Sequence, residues 1–299
     1  MGKWWILIKE RFSPASYVPM IFLFSWANGL FFSKTLGAGW DWGRFFCVFF
    51  LMLSFFFRMR LFDEIKDYEV DLKVNPQRPL ARGVLTVDQV KIGLLVLIFF
   101  EIVLASSLGV STLLIHATAI GYSLLMYEEF FIGNLLRPHL TTYAVTHTFV
   151  SVLLGLSSGV SMSGVKIHEV MAVAQEPSAI NIYLKLTLFI LMNWAFFNLF
   201  EFARKTFAAS EERPHVPSYS NIFSPKGALA LSLSQAILGV GVVYYLQPHW
   251  VWLLSLGGYI LLSFIYIINN SAKSAHLFRA ISGVYILFHY ALVIFMWRS

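Results

Sequence analysis

The sequence predicts an all-α fold: a polytopic membrane helical bundle of about nine transmembrane helices, spanning residues 1–299 as a single domain. Three observations predict it. The chain is 58% hydrophobic and 13% charged, whereas soluble domains carry roughly 25% charged residues. Its mean hydropathy is +0.70. Its basic residues also fall mainly in alternate loops. A water-facing surface for 299 residues could hardly be built from so few charges, and lipid as the outer solvent removes the difficulty.

Nine stretches reach the roughly 20 residues that a helix needs to cross a bilayer. They lie near 15–33, 42–62, 87–108, 110–127, 138–160, 179–202, 227–246, 250–269 and 277–297. With the N-terminus inside, the segments 1–14, 58–91, 128–137, 203–226 and 270–279 hold 17 of the 22 basic residues. Lys34, Arg44, Lys166, Lys185 and Arg298 fall on the other side. The positive-inside rule then predicts an odd number of spans and a cytoplasmic N-terminus. The same asymmetry accounts for the net charge of +6 without a nucleic-acid partner. The expected setting is a bacterial-type inner or cell membrane. The lone cysteine, Cys47, lies in an apolar run and reads as packing.

Two inside segments are long and polar, about 63–86 and 203–226, and they follow the second and sixth spans. In the first, Asp63, Asp67 and Asp71 stand four residues apart, with Glu64 beside Asp63. On a helix this spacing stacks the carboxylates along one face. Stacked carboxylates repel one another, and a divalent cation reverses the sign of that interaction. Mg²⁺ takes one or two protein carboxylates, keeps waters and shares phosphate oxygens. The plainer alternative is a solvated helix end neutralised by Arg58, Arg60 and Lys66. Against it, the chain has only five Asp, and three of them stand here in register. A turn-rich stretch follows, in which Pro76, Pro79 and Gly83 break any helix. Arg78 and Arg82 lie within it. Guanidinium groups suit phosphate oxygens, and juxtamembrane lipid is their other natural contact.

The order Asp63-Glu64-x-x-Asp67-x-x-x-Asp71, then Arg78-Pro79-Leu80-x-x-Gly83, resembles the first signature of the UbiA superfamily of intramembrane prenyltransferases. The usual form is Asn-Asp-x-x-Asp-x-x-x-Asp, then Arg-Pro-Leu-x-x-Gly. Asp63 stands here where the family often has Asn, and Glu64 where it often has Asp; both keep oxygen ligands. In motif the likeness is close only over residues 60–86, and in length and topology it extends over the whole chain. It implies a helical bundle open laterally to lipid, and Mg²⁺ held by Asp63, Glu64, Asp67 and Asp71. It also implies a site at the cytoplasmic end that binds an isoprenyl diphosphate donor.

The family's second acidic cluster, commonly Asp-x-x-x-Asp after the sixth span, has no counterpart, since no Asp follows Asp88. Glu201, Arg204, Lys205, Glu211 and Glu212 stand there instead. Three readings stay open. Glu201 with Glu211 or Glu212 supplies a second metal shell while Arg204 and Lys205 bind diphosphate. Alternatively, cationic side chains replace a lost metal site. In the third reading the segment is a salt-bridged surface loop, for which Glu201 and Lys205 have the favourable helical spacing.

The resemblance also marks Arg11, before the first span, and Arg137, at the start of the fifth, as diphosphate contacts. Arg11 equally suits a positive-inside anchor. Tyr219 and Ser220 read as loop packing. Asn28, Asn193 and Asn198 read as interhelical hydrogen-bonding residues. Glu101, in the third span, requires a partner inside the bundle. The histidines show no ligand spacing. The 29 Phe suit lipid-facing belts and would also suit an isoprenoid tunnel.

The expected activity is Mg²⁺-dependent transfer of an isoprenyl group from its diphosphate to an acceptor that the sequence does not specify, with membrane lipid as the surroundings. The alternatives are cyclisation of the prenyl chain, as in UbiA-type terpene cyclases, and phosphoribosyl transfer to a polyprenyl phosphate. A further alternative is transport of a divalent ion or small molecule, against which stands the position of the acids at the mouth of the bundle.

Overall fold

The computed structural model describes residues 2–166, 179–213 and 216–298. All the regular structure among them is helical. Among the described residues, nine helical stretches are long and apolar enough to cross a bilayer: Pro14–Thr35, Trp42–Lys66, Val87–Leu108, Val110–Tyr127, Leu140–Ser163, Asn181–Arg204, Tyr219–Leu246, Trp250–Asn269 and Ala272–Arg298. Each overlaps a span expected from the sequence. The outside segment expected at 161–178 lies largely beyond the described residues.

The described residues form two compact units. One contains 2–130 and 156–166, the other 131–155, 179–213 and 216–297.

In the first unit, α1 (Lys3–Arg11) precedes α2 (Pro14–Thr35). Pro14 opens α2 at a position where its absent N–H costs nothing. Helix α3 (Trp42–Lys66) is capped by the Asp41 carboxylate, which accepts from the Arg44 N–H at 2.6 Å. Helix α4 (Tyr68–Val74) follows after Asp67 alone. Helix α5 (Val87–Leu108) starts in a capping box between Thr86 and Gln89. Gly109, at φ +122°, turns the chain directly into α6 (Val110–Tyr127).

A core of Leu7, Leu61, Phe62, Leu80, Leu85, Val90 and Leu94 packs α1, α3 and α5 around the turn-rich segment. Beyond α6, Glu129, Phe130 and Phe131 all take φ between +50° and +58°. Such a run is costly for side-chain-bearing residues and must be held by its surroundings. Lys66 Nζ lies 3.2 Å from Glu129 Oε1.

The 131–155 segment carries α7 (Gly133–Leu136), α8 (Leu140–Thr148) and the start of α9 (Val150–Ser163). The second unit continues with α10 (Ala179–Arg204), α11 (Tyr219–Leu246), α12 (Trp250–Asn269) and α13 (Ala272–Arg298). Helix α11 starts earlier than the sequence predicts. Its first turn, capped by Ser218, breaks at Ser224 (φ +65°, ψ 164°) before Pro225; proline disfavours the α region at the residue before it, and the positive φ is a strained value for serine. The apolar run begins after that break.

Many large apolar side chains face outward, among them Leu95 and Phe99 on α5, Leu261 on α12 and Phe295 on α13. In water they would be a liability; against acyl chains they are the expected surface.

Candidate active site

The three aspartates lie on a helical ladder that runs through the junction of α3 and α4. The Asp67 N–H donates to the Asp63 carbonyl at 2.9 Å, and the Asp71 N–H to the Asp67 carbonyl at 2.8 Å. Asp67 itself takes φ −84°, ψ −6°, at the edge of the right-handed α region. The expected four-residue register is therefore kept although the helix is redefined at Asp67.

The four acids have different surroundings. The Asp63 and Asp67 side chains are 56% and 55% exposed. Arg60 Nη1 lies 3.4 Å from Asp63, and Arg78 Nη1 lies 3.7 Å from Asp67. Asp71 is buried and accepts from Arg78 Nη1 and from the Asn75 amide at 2.9 Å. Glu64 is also buried. Its Oε1 takes Arg11 Nε and Arg60 Nη2, while its Oε2 has no hydrogen-bond donor.

The turn-rich tail explains how Arg78 reaches Asp71. Leu80 is an anchor in the core beneath it. Gly83, at φ +75°, closes a turn whose N–H donates to the Leu80 carbonyl, a conformation that suits glycine. Arg82 turns away and pairs with Glu10 at 2.7 Å. Of the two arginines, Arg78 is thus the one brought to the acids, together with Arg11 from the end of α1.

Among the described residues, no three His, Cys, Asp or Glu side chains converge as a metal cluster. The residues nonetheless fit Mg²⁺. They are all hard oxygen donors, two are open to solvent, and the buried Glu64 oxygen lacks a donor. Mg²⁺ asks only one or two carboxylates of the protein where phosphate supplies the rest.

The second unit holds the other expected residues. At the end of α10, Glu201 bridges Arg204 Nε at 2.5 Å and Lys205 Nζ at 3.1 Å, the helical pairing that the spacing predicts. Glu211 accepts from Arg279 Nη2 at 2.6 Å, from Arg279 Nη1 at 3.0 Å and from the Ala208 N–H. The Arg279 guanidinium bonded to it holds the Glu211 carboxyl below the usual carboxylate range. Glu212 accepts from the Ser218 and Ser220 hydroxyls at 2.7 and 2.8 Å. Ser220 in turn accepts from the Phe207 N–H, and Tyr266 donates to the Phe207 carbonyl.

Each of these glutamates thus has cationic or hydroxyl donors within its own unit. Tyr219 is buried in a local core with Leu140, Ala144, Phe202 and Ala228. Arg137 is exposed in the turn between α7 and α8.

Sequence reasoning named Arg60 as a partner of the acids, and missed Arg279 and the pairing of Lys66 with Glu129. Arg60 carried a signal, three and four residues before Asp63 and Glu64. Arg279 is 68 residues from Glu211 and carried none.

The order of helices and the nine apolar spans define a UbiA-type membrane helical fold. It is shared with a UbiA homologue from Aeropyrum pernix K1, at TM-score 0.60 and 15% identity, over 91% of this chain and 97% of that one. It is likewise shared with a digeranylgeranylglyceryl phosphate synthase, at TM-score 0.61 and 14% identity, over 98% and 99% of the two chains. No protein-family model and no curated protein matches the sequence.

Proposed function

We propose that this chain is an intramembrane prenyltransferase that binds an isoprenyl diphosphate, as its Mg²⁺ complex, at the Asp63–Asp67–Asp71 ladder. The observation that carries the reading is the ladder itself. It is an in-register set of acids, two of them open, with Arg78 fixed beside them by a buried leucine and a left-handed glycine. The fold shared with the UbiA homologue and the digeranylgeranylglyceryl phosphate synthase supports it.

Asp63 and Asp67 would hold the metal. Asp71 would keep the Arg78 guanidinium aimed along the ladder. Mg²⁺ held there by Asp63 and Asp67 would supply positive charge to offset that developing on a departing diphosphate. Arg78, with its fork of donors, would meet phosphate oxygens from the protein side. Apolar helices exclude water, which protects a developing allylic cation from quenching. The charge asymmetry of the loops supports a position of the ladder at the cytoplasmic face.

A panel of isoprenyl diphosphates of different lengths, incubated with the purified protein and Mg²⁺, tests the reading through release of pyrophosphate. Products analysed with and without an aromatic acceptor distinguish transfer from cyclisation. Absence of release across the panel, with metal flux across proteoliposomes, would favour transport instead.

A further inference from the structure

Above the ladder, inside the apolar part of the first unit, lies a charged cluster that no step so far uses. Arg58 on α3 and Glu101 on α5 are both fully buried. Arg58 Nε lies 3.0 and 3.2 Å from the two Glu101 oxygens, and its Nη1 donates to the Ser123 hydroxyl of α6 at 2.8 Å. Ser54, one turn before Arg58, donates to Glu101 at 3.2 Å. His116 of α6 places Nε2 3.4 Å from Glu101 Oε2, and its Nδ1 lies 3.0 Å from the Ser157 hydroxyl of α9. The guanidinium carbon stands 4.4 Å from the Phe55 ring and 5.4 Å from the Phe62 ring. Nη2 has no acceptor.

We propose that Glu101, acting through Arg58, is a positioning residue that sets the rotation of α3 and with it the direction of Asp63 and Asp67. The effect on rotation stands by itself, and only its consequence for metal binding rests on the function proposed above.

The argument starts from what lipid does not do. In water an apolar face is driven inward and fixes how a helix is turned. In a bilayer the tails are as apolar as the bundle, so burial selects no face. Helix α3 makes the ambiguity acute, because phenylalanine occupies both sides. Phe45, Phe49 and Phe55 are buried while Phe46 and Phe50 are exposed. The apolar pattern alone is therefore a weak guide to the rotation of this helix.

The polar side chains on it do discriminate. Arg44 holds the N-terminal end, donating to the carbonyls of Leu108 and Ser161. Toward the other end Ser54 and Arg58 both reach Glu101, and beyond them Glu64 pairs with Arg11 and Lys66 with Glu129. A buried ion pair is weak as a source of stability, and its best-attested use is to specify register. Asp63 follows Arg58 by five residues on the same helix, so a turn of α3 at Arg58 is a turn of the ladder.

The test separates register from stability. In a Cys47→Ser background, single cysteines are introduced as Asp63→Cys and Glu64→Cys, and labelled with a water-soluble maleimide. The native side chains are 56% and 1% exposed, and thiol reactivity follows exposure, so Asp63→Cys should label at least about tenfold faster.

With Arg58→Met and Glu101→Leu combined, no buried charge is left unpaired. The proposal expects thermal stability to be kept, the labelling contrast to collapse, and Mn²⁺ affinity, read by electron paramagnetic resonance, to fall about tenfold. Glu101→Asp, which keeps the charge but draws it back by one methylene, should give an intermediate contrast. It serves as the second arm should the double variant fail to fold. An unchanged contrast in either folded variant overturns the proposal. Collapse of the contrast in a protein that binds no Mn²⁺ even as wild type supports the positioning role and removes the metal reading instead.

Discussion

Arg78 places a single nitrogen, Nη1, between both carboxylate oxygens of Asp71, at 2.7 and 2.6 Å. The same nitrogen lies 3.7 Å from Asp67. One guanidinium thus joins the buried end of the acid ladder to its open middle. A cation fixed there is already desolvated on one side and already aimed, which lowers the ordering cost of meeting an anionic ligand.

Replacing Arg78 by alanine leaves Asp71 buried with only the Asn75 amide as side-chain donor. Loss of a hydrogen bond to a charged group costs about 1.5–3 kcal/mol. Arg78→Ala is expected to lower the melting temperature and to raise KM for the diphosphate. Arg78→Lys should recover charge without the fork, and so restore only part of the binding. Thermal melts and steady-state kinetics on the three proteins check this.

The Glu211–Arg279 pair gives a pH prediction in the acid range. The Arg279 guanidinium holds the folded Glu211 carboxyl below the usual carboxylate range. A carboxyl whose pKa is lowered on folding adds stability above its unfolded pKa, and loses that addition as pH falls through the folded value. Glu211→Gln should therefore melt below wild type at pH 7 and at pH 5. The difference should shrink as pH falls below the ordinary carboxylate range and wild-type Glu211 protonates. Melting curves across pH 3–7 measure it.

Much of the fold was legible because its cause is local. Runs of apolar residues long enough to cross a bilayer are read directly from composition, and all nine appear as helices. The first acid segment was legible for the same reason: Asp63, Asp67 and Asp71 keep the four-residue spacing that the backbone ladder uses. What stayed hidden depends on residues far apart in sequence. Glu101 required a partner, and no local pattern names Arg58, 43 residues away, or His116. The three left-handed residues Glu129–Phe131 contain no glycine or asparagine to announce them. The second acidic segment was read three ways because Glu211 and Glu212 take their donors from Arg279, Ser218 and Ser220, through a loop whose path the sequence leaves open.

Packing in the first unit depends on a close approach at Gly159. A Cβ there would overlap the ring of the buried Phe32. Gly159→Ala is expected to destabilise by about 1–3 kcal/mol, the usual range for overpacking. Phe32→Leu in the same chain should recover part of the loss, since the smaller side chain makes room. A double-mutant cycle in thermal or denaturant unfolding reads the coupling.

The central claim is that the open aspartates of the ladder hold a metal-bound diphosphate, and Asp67 tests it most directly. Its side chain is exposed, so Asp67→Asn should fold normally. The decisive measurement is Mg²⁺-dependent prenyl transfer and pyrophosphate release by wild type and Asp67→Asn in purified membranes. The account predicts a fall of about 100-fold or more, the scale for removing a group that stabilises developing charge. Undiminished turnover by a folded Asp67→Asn protein would contradict it.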